Sequence, residues 1–318
     1  MTAVNRLFVD VDTGIDDAMA LIYLLASADA DVVGIASTGG NIHVEQVCEN
    51  NLRLLELCRA PAIPVSKGAD DPLCGHWPHH SKFHGPKGLG YAELPRTDRR
   101  LTDHDATAAW VAAARAHPGE LVGLVTGPLT NLALALRAEP ALPALLRRLV
   151  IMGGSFGGDI NPMAEWNIRV DPEAAGEVFA GWAGQQRLPI VCGLDLTRRV
   201  AMTPEILAEL AAAAGPSPLV PVIEDAMRFY FESHEVRGHG YVAYMHDPLA
   251  AAAALDAQLI TTRAATVDIE LADTPTRGVT TPDWSGDRKA NALIGVDVDA
   301  SVFFERFIER VGPFARRI

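Results

Sequence analysis

The stretch Leu7-Phe8-Val9-Asp10-Val11-Asp12-Thr13-Gly14-Ile15-Asp16-Asp17-Ala18-Met19-Ala20 limits the possible folds more than any other part of the chain. Alternating apolar and acidic residues predict a strand with Asp10 and Asp12 on one face, because side chains two apart in a strand point the same way. Gly14 permits a tight exit. Asp16 and Asp17 then open a helix continuing through Leu21-Ile22-Tyr23-Leu24-Leu25, where acids suit the positive end of the helix dipole. Four carboxylates thus converge at the carboxyl end of a strand, the place where open α/β sheets hold their ligands. Unpaired, they would repel and raise one another's pKa values, and a bound hard cation is the simplest relief.

The same step recurs along the chain. An apolar run at 32–37 ends in Thr38-Gly39-Gly40-Asn41, a helix follows at 44–58, and Pro61 and Pro64 bracket a short strand around Val65. A strand at 121–125 ends in Thr126-Gly127-Pro128-Leu129-Thr130-Asn131, one at 149–152 runs into a Gly-rich loop, and one at 190–194 follows a helix near 172–183. Six strand–loop–helix units predict an α/β fold: a mostly parallel, doubly wound, Rossmann-like sheet flanked by helices, with the active site at the carboxyl ends of its strands. Residues 203–257 read as mainly helical, and Tyr230 and His234, four apart, share a helix face. Strand-like runs at 266–271 and 293–298 and a terminal helix near 301–311 close the chain. The Gly-, Pro- and His-rich stretch 68–100 is too long and irregular for a simple connection, and such loops are usually functional or disordered. With no internal repeat or linker, 1–318 is expected to be one domain.

Composition narrows the partners. The chain has 318 residues, 49% of them hydrophobic, enough for a substantial core, and its 40 acidic against 27 basic residues leave a formal charge of -13. No basic stripe could neutralise a nucleic-acid backbone, so no nucleic-acid partner is expected. Nothing approaches the roughly 20 apolar residues of a membrane span or a signal-peptide core, and a cytoplasmic location is expected. Cys48, Cys58, Cys74 and Cys192 form neither a CxxC pair nor a disulfide framework, and they read as reduced, mostly buried thiols.

The acidic cluster fits neither of two common loops. Gly14 stands fifth rather than sixth from Asp10 and Leu21 occupies the twelfth position, which excludes an EF-hand. Acids stand where a phosphate-binding loop needs glycines and a lysine. So many carboxylates suit Ca²⁺, with its six to eight oxygen ligands, better than Mg²⁺, which keeps several waters. Asn41, Thr126, the segment 158–167 and His246-Asp247-Pro248 stand where strand exits or helix starts would bring them to the same side of the sheet.

Their joint order resembles the inosine-uridine preferring nucleoside hydrolase family. The resemblance runs through Asp10 to Ala18, Gly40-Asn41, His84-Gly85, Thr126 to Asn131, Ala164-Glu165-Trp166-Asn167, Asp171-Pro172-Glu173-Ala174-Ala175 and His246-Asp247-Pro248, nearly the whole chain. It implies Ca²⁺-dependent hydrolysis of the N-glycosidic bond of a ribonucleoside, giving ribose and free base, in a homodimer or homotetramer. It further implies that Asp12, Asp17, Asp247 and the carbonyl of Thr126 hold Ca²⁺, with Asp10 in support. Asp12 would also take a proton from the attacking water, and His246 would protonate the leaving base. Asp16, Asn41, Asp159, Glu165 and Asn167 would hold the ribose; His84, Met152, Trp166, Tyr230 and His234 would face the base. Asp159 stands where relatives commonly carry Asn, Trp166 where they carry Phe, and His234 where some carry Tyr, so the preferred base does not follow from the resemblance.

Two other readings share the first motif. Asp10-Val11-Asp12-Thr13 also resembles the nucleophile motif of haloacid-dehalogenase-like Mg²⁺ phosphatases, which would leave Asp16-Asp17 and the later motifs unexplained. A non-catalytic Ca²⁺/ribose-binding protein would keep the cation and sugar residues but not the chemistry.

Overall fold

The computed structural model describes residues 4–78, 83–157 and 164–318. Strand β1 (Asn5–Val11) passes through Gly14 into α1 (Ile15–Ala26), and the step repeats through β2 (Ala30–Ser37), α2 (Val44–Leu57) and β3 (Val65–Lys67). The described part of 68–100 carries neither helix nor strand. The alternation resumes with α3 (Ala106–Ala116), β4 (Leu121–Val125), α4 (Thr130–Ala138), α5 (Leu142–Leu145), β5 (Leu146–Met152), α6 (Trp166–Val170), α7 (Pro172–Trp182), β6 (Ile190–Cys192) and α8 (Leu194–Thr197). A mainly helical stretch follows: β7 (Ala201–Met202), α9 (Pro204–Ala214), α10 (Leu219–Val236), β8 (Ala243–Tyr244) and α11 (His246–Leu255). The chain ends with β9 (Ile260–Ile269), β10 (Thr280–Asp283), β11 (Ala292–Val298) and α12 (Ala300–Ala315).

Nine strands form one sheet in the order β10-β9-β11-β6-β5-β4-β1-β2-β3. Neighbours from β11 to β3 are parallel, as the repeated strand–helix step requires. At the far edge β9 runs antiparallel to both β11 and β10. The connection from β9 to β10 is too short for a parallel crossover, and it turns back at Gly278, whose φ of 84° favours glycine. Strand order reverses between β1 and β4, so the helices that follow these two strands leave on opposite faces and a crevice opens at their carboxyl ends.

Both faces of the sheet are covered, and the alternation along each strand shows it. Leu7, Val9 and Val11 of β1, with Val122 and Leu124 of β4, pack into an apolar cluster with α1, α10, α11 and α12. Phe8, Leu121 and Val125 point the other way, to a cluster with α3, α4 and α7. Asp10, two residues after Phe8, shares that second face, as the period of two predicts. Helix α11 lies directly on α1, and its buried run Ala250–Ala254 has no side chain longer than a methyl to hold the two apart. That contact brings the start of α11, with Asp247, beside the start of α1. All four cysteines are free; Cys74 is exposed and the other three are buried. No helix among the described residues is long and apolar enough to cross a membrane.

Candidate active site

The four acids of the first strand–helix unit occupy different surroundings. Asp10 is fully buried and accepts hydrogen bonds from Thr38 Oγ1 (2.5 Å), Trp110 Nε1 (2.8 Å) and Asn131 Nδ2 (3.0 Å). Burial raises its pKa and the three donors pull it back down. It therefore ties the end of β1 to the exit of β2, to α3 and to α4. Asp12 has no such ring of donors: Oδ2 accepts from the Asn41 backbone N–H at 2.8 Å, while Oδ1 is buried without a hydrogen-bond partner among the described residues. Burial, followed by the charge of Asp17, holds its pKa well above the usual carboxylate range. Gly40 allows this approach, since a Cβ there would meet the Asp12 carboxylate and Pro128.

At the start of α1, Asp17 caps the helix, with Oδ2 accepting from Gly14 N (2.9 Å) and Oδ1 from Thr126 Oγ1 (2.6 Å). Asp16 turns toward α10, where Tyr230 OH donates to its Oδ2 at 3.2 Å, and Oδ1 is a second buried oxygen without a partner among the described residues. Burial, then the charge of Asp17, pushes Asp16 up to about 8. His84 Nδ1 lies 3.7 Å from Asp16, yet the two do not pair as charges. That nitrogen accepts the Ile15 N–H at 3.1 Å, and burial drives the imidazole down to about 3. Asp247 completes the group from α11, its pKa raised by burial and then by Asp16 and Asp17. Asp16, Asp17 and Asp247 each offer an oxygen within 4.8 Å of the others. With the bare Oδ1 of Asp12 alongside, this all-oxygen donor set could hold a hard divalent cation.

The neighbouring strand exits supply the next layer. Asn167, just inside α6, donates through Nδ2 to the carbonyls of Thr126 (2.6 Å) and Met152 (3.2 Å), which aims the Thr126 carbonyl and leaves Asn167 Oδ1 for a ligand. Glu165 caps α6 and is nearly saturated by backbone donors, Asn167 and Ile168 on α6 and Gly154 across the loop. Asn41, Thr126, Met152, Glu165, Trp166 and Asn167 line one cleft together with Asp16 and Asp247. Trp166 Nε1 is buried without a partner among the described residues, and its ring meets Trp77 edge to face at 5.3 Å.

The cleft also has an aromatic and basic wall. Tyr230 and His234 share a face of α10, with ring centroids 4.4 Å apart, and His234 Nδ1 donates to the Tyr230 carbonyl at 2.9 Å. His246 stands across from them with Nδ1 2.6 Å from Thr197 Oγ1, which leaves Nε2 for a ligand. Burial, then the charge of His234, pushes its pKa well below that of a free histidine, where an imidazole near neutrality was expected for the leaving-group acid. Twelve of the singled-out residues line this cleft: Asp16, Asn41, His84, Thr126, Met152, Glu165, Trp166, Asn167, Tyr230, His234, His246 and Asp247. Asp12 and Asp17 are not among its lining residues, and Asp159 lies outside the described residues. Asp10 lies behind the cleft wall rather than on it. Phe83, Leu194, Arg198, His239 and Tyr244 also line the cleft and were not singled out in the sequence. Leu194 and Arg198 follow the exit of β6, so the strand-exit rule that selected Thr126 would have found them; nothing local marks His239 or Tyr244.

The inosine-uridine preferring nucleoside hydrolase model matches residues 7–305. The chain is 35% identical over 315 residues to the pyrimidine-specific ribonucleoside hydrolase of Salmonella agona, with 97% of this chain and 99% of that one covered. It is 33% identical over 269 residues to uridine nucleosidase 1 of Arabidopsis thaliana, with 84% and 78% covered. Among solved structures, the purine-preferring ribonucleoside hydrolase of Gardnerella vaginalis superimposes with a TM-score of 0.90 at 29% identity, covering 99% of this chain and 100% of that one. On these grounds the chain belongs to the inosine-uridine preferring nucleoside hydrolase family, enzymes that hydrolyse the N-glycosidic bond of ribonucleosides.

Proposed function

We propose that this protein is a Ca²⁺-dependent ribonucleoside hydrolase in which Asp12 is the general base and His246 serves the leaving base. The observation that carries the reading is the cluster of Asp16, Asp17 and Asp247, with Asp16 Oδ1 and the Oδ1 of Asp12, which feels the charge of Asp17 and Asp16, both buried without a partner among the described residues. Buried carboxylates this close are costly unless a cation shares them. Asp12, Asp17, Asp247 and the Thr126 carbonyl would hold it, with Asp16 between the cation and the sugar. Bound there, Ca²⁺ would orient and acidify the attacking water and contact two ribose hydroxyls.

The chain's own residues carry the rest. Asp12 takes the proton of the attacking water as its oxygen bonds to the anomeric carbon. Asp16, Asn41, Glu165 and Asn167 grip the hydroxyls, and their contacts favour the flattened, cationic sugar that C–N cleavage requires. The acidic wall stabilises positive charge on the ribose and repels a 5′-phosphate, so free nucleosides suit the cleft better than nucleotides. Asp10 belongs to the scaffold: three donors surround its carboxylate, which speaks against a phosphatase that would need it free as a nucleophile.

Incubation with inosine, uridine, cytidine and a generic phosphate ester, with and without chelator, tests this reading. Free base and reducing sugar should appear together, stop on chelation and return with Ca²⁺. Phosphate release alone, or turnover indifferent to chelator, would overturn it.

A further inference from the structure

Arg198 and Arg199 follow α8 and part company. Arg199 turns outward and pairs with Asp297 at 2.7 Å. Arg198 is half-buried and lines the cleft, and among the described residues nothing accepts a hydrogen bond from its guanidinium. The other arginine on this side is engaged: Arg237 donates to the Ser233 carbonyl at 2.6 Å and lies 3.9 Å over the Phe83 ring. Arg198 is also close to three imidazoles. Burial is the main reason that His234, His239 and His246 are depressed, and the Arg198 charge depresses each of them further. The same cleft holds the acids Asp16, Glu165 and Asp247, with Tyr230 donating to Asp16 and Asp247 next in sequence to His246. Arg198 thus sets a cation beside the imidazoles proposed to meet the base.

A cation there matches the charge flow of the reaction. As the C1′–N bond breaks, its electron pair stays on the base, and the negative charge spreads onto the ring nitrogens and carbonyl oxygens. The water oxygen bonds to C1′, its proton passes to Asp12, and the base recovers a proton from solvent, with His246 Nε2 available to hydrogen-bond it. A preorganised donor aimed at charge that grows only in the transition state raises kcat rather than ground-state affinity. Arginine suits that post, being cationic at every relevant pH and presenting N–H groups in a rigid fork.

We propose that Arg198 is a catalytic residue that donates a charge-assisted hydrogen bond to a carbonyl oxygen of the leaving base and so favours bases, such as uracil and hypoxanthine, that carry one. The proposal rests on the nucleoside hydrolase reading. Its test compares Arg198→Met and Arg198→Lys on two substrates: whichever of uridine and inosine the wild type turns over faster, and p-nitrophenyl riboside, whose leaving group departs as a stable anion unaided. On the nucleoside, R198M should lose about 10- to 100-fold in kcat with little change in KM, the scale of one charge-assisted hydrogen bond. Its loss on p-nitrophenyl riboside should be at least about tenfold smaller. R198K, which keeps the charge without the fork, should fall between wild type and R198M on the nucleoside and decides the matter if R198M does not fold. Equal losses on the two substrates, or no loss on the nucleoside, would overturn the proposal. A wild type that cleaves neither substrate would instead overturn the nucleoside hydrolase reading itself.

Discussion

Replacing Asp12 by Asn should reverse the order of stability between wild type and variant according to the cation present. Without cation, Asp12 is a buried carboxylate with one bare oxygen, raised in pKa by burial and by Asp17. Asn keeps an oxygen for the Asn41 N–H and can turn its NH₂ toward the neighbouring carboxylates, converting repulsion into donation. Relief of one unsatisfied buried group is worth about 1–3 kcal/mol. For 318 residues the unfolding entropy is roughly 0.7 kcal/mol/K, so the variant should melt about 2–4 °C above wild type in chelator. Calcium at 100 to 1,000 times its Kd stabilises the wild type by about 2.7–4.1 kcal/mol, or about 4–6 °C. The variant, short of a ligand, should gain little and melt below the wild type. Thermal melts in chelator and in excess Ca²⁺ read both orders, and loss of the general base should cut kcat by about 10²–10⁴ while ribose still binds. A variant that melts below wild type by the same margin in both conditions would refute the reasoning, and so would surviving turnover.

Asp10→Asn should behave oppositely, because an NH₂ set among Thr38, Trp110 and Asn131 leaves at least one donor unpaired; a loss of about 1–3 kcal/mol should lower the melting point by about 2–4 °C in chelator and in Ca²⁺ alike. A cation-dependent effect like that of D12N would make Asp10 a ligand instead. Gly40→Ala removes no functional group, yet its Cβ would overlap the Asp12 carboxylate and come within 2.8 Å of Pro128 Cδ, so kcat/KM should drop by about 10² or more with the circular dichroism unchanged. Near-wild-type turnover would mean that the Asp12 position is not critical. His234, 2% exposed, is held at about 4 by burial, helped by His239, Arg237 and Arg198 and opposed by its bond to the Tyr230 carbonyl. Between pH 6.5 and 4 the unfolded chain binds the extra proton, so this stability is full above 6.5 and is lost as pH falls, on the order of 2 kcal/mol by pH 5. His234→Gln should flatten the fall of denaturation midpoint with pH by about that amount, and parallel wild-type and variant curves would show that the imidazole is not held neutral.

What the sequence disclosed and what it hid follow from the range of the forces involved. The site residues at strand exits were legible because local rules place them: a period of two put Asp10 and Asp12 on one face, Gly14 permitted the turn, and Asp16 and Asp17 opened the helix. The division of labour between Asp10 and Asp12 is not local. It depends on Trp110, which comes 100 residues later on the helix that covers this face of the sheet and reaches back to satisfy Asp10. The same holds for Asp171, which reads as a plain helix cap, and it does cap α7 through Ala174 N, but it also accepts from Thr130 and from Leu73 in the irregular loop. The antiparallel edge escaped notice because β9 and β10 carry no strong alternation, and their pairing follows from the shortness of the link between them.

The two sides of the cleft descend from different parts of the chain, and that separation has a chemical consequence. The sugar side is built from β1, α1, the exits of β4 and β5, and the start of α11, all packed against the central strands. Moving any of these residues disturbs the core, as the Gly40 and Asp12 contact shows. The base side comes from α8, α10 and the segment leading to β8, which contribute no strand to the large sheet, although α8 and α10 pack into the same core as β1 and α1. Substitutions there can change which base is recognised while the sugar side stays as it is. Relatives with the same architecture carry names as different as pyrimidine-specific and purine-preferring, which is the outcome such a split allows. Base preference in this chain should therefore be set by Arg198, His239 and Tyr244 together with Tyr230 and His234. Exchanges at Arg198, His234, His239 and Tyr244 should shift the ratio of kcat/KM between uridine and inosine without altering the Ca²⁺ requirement, whereas Tyr230, which donates to Asp16, touches both sides. A changed Ca²⁺ requirement would show that the two sides are coupled.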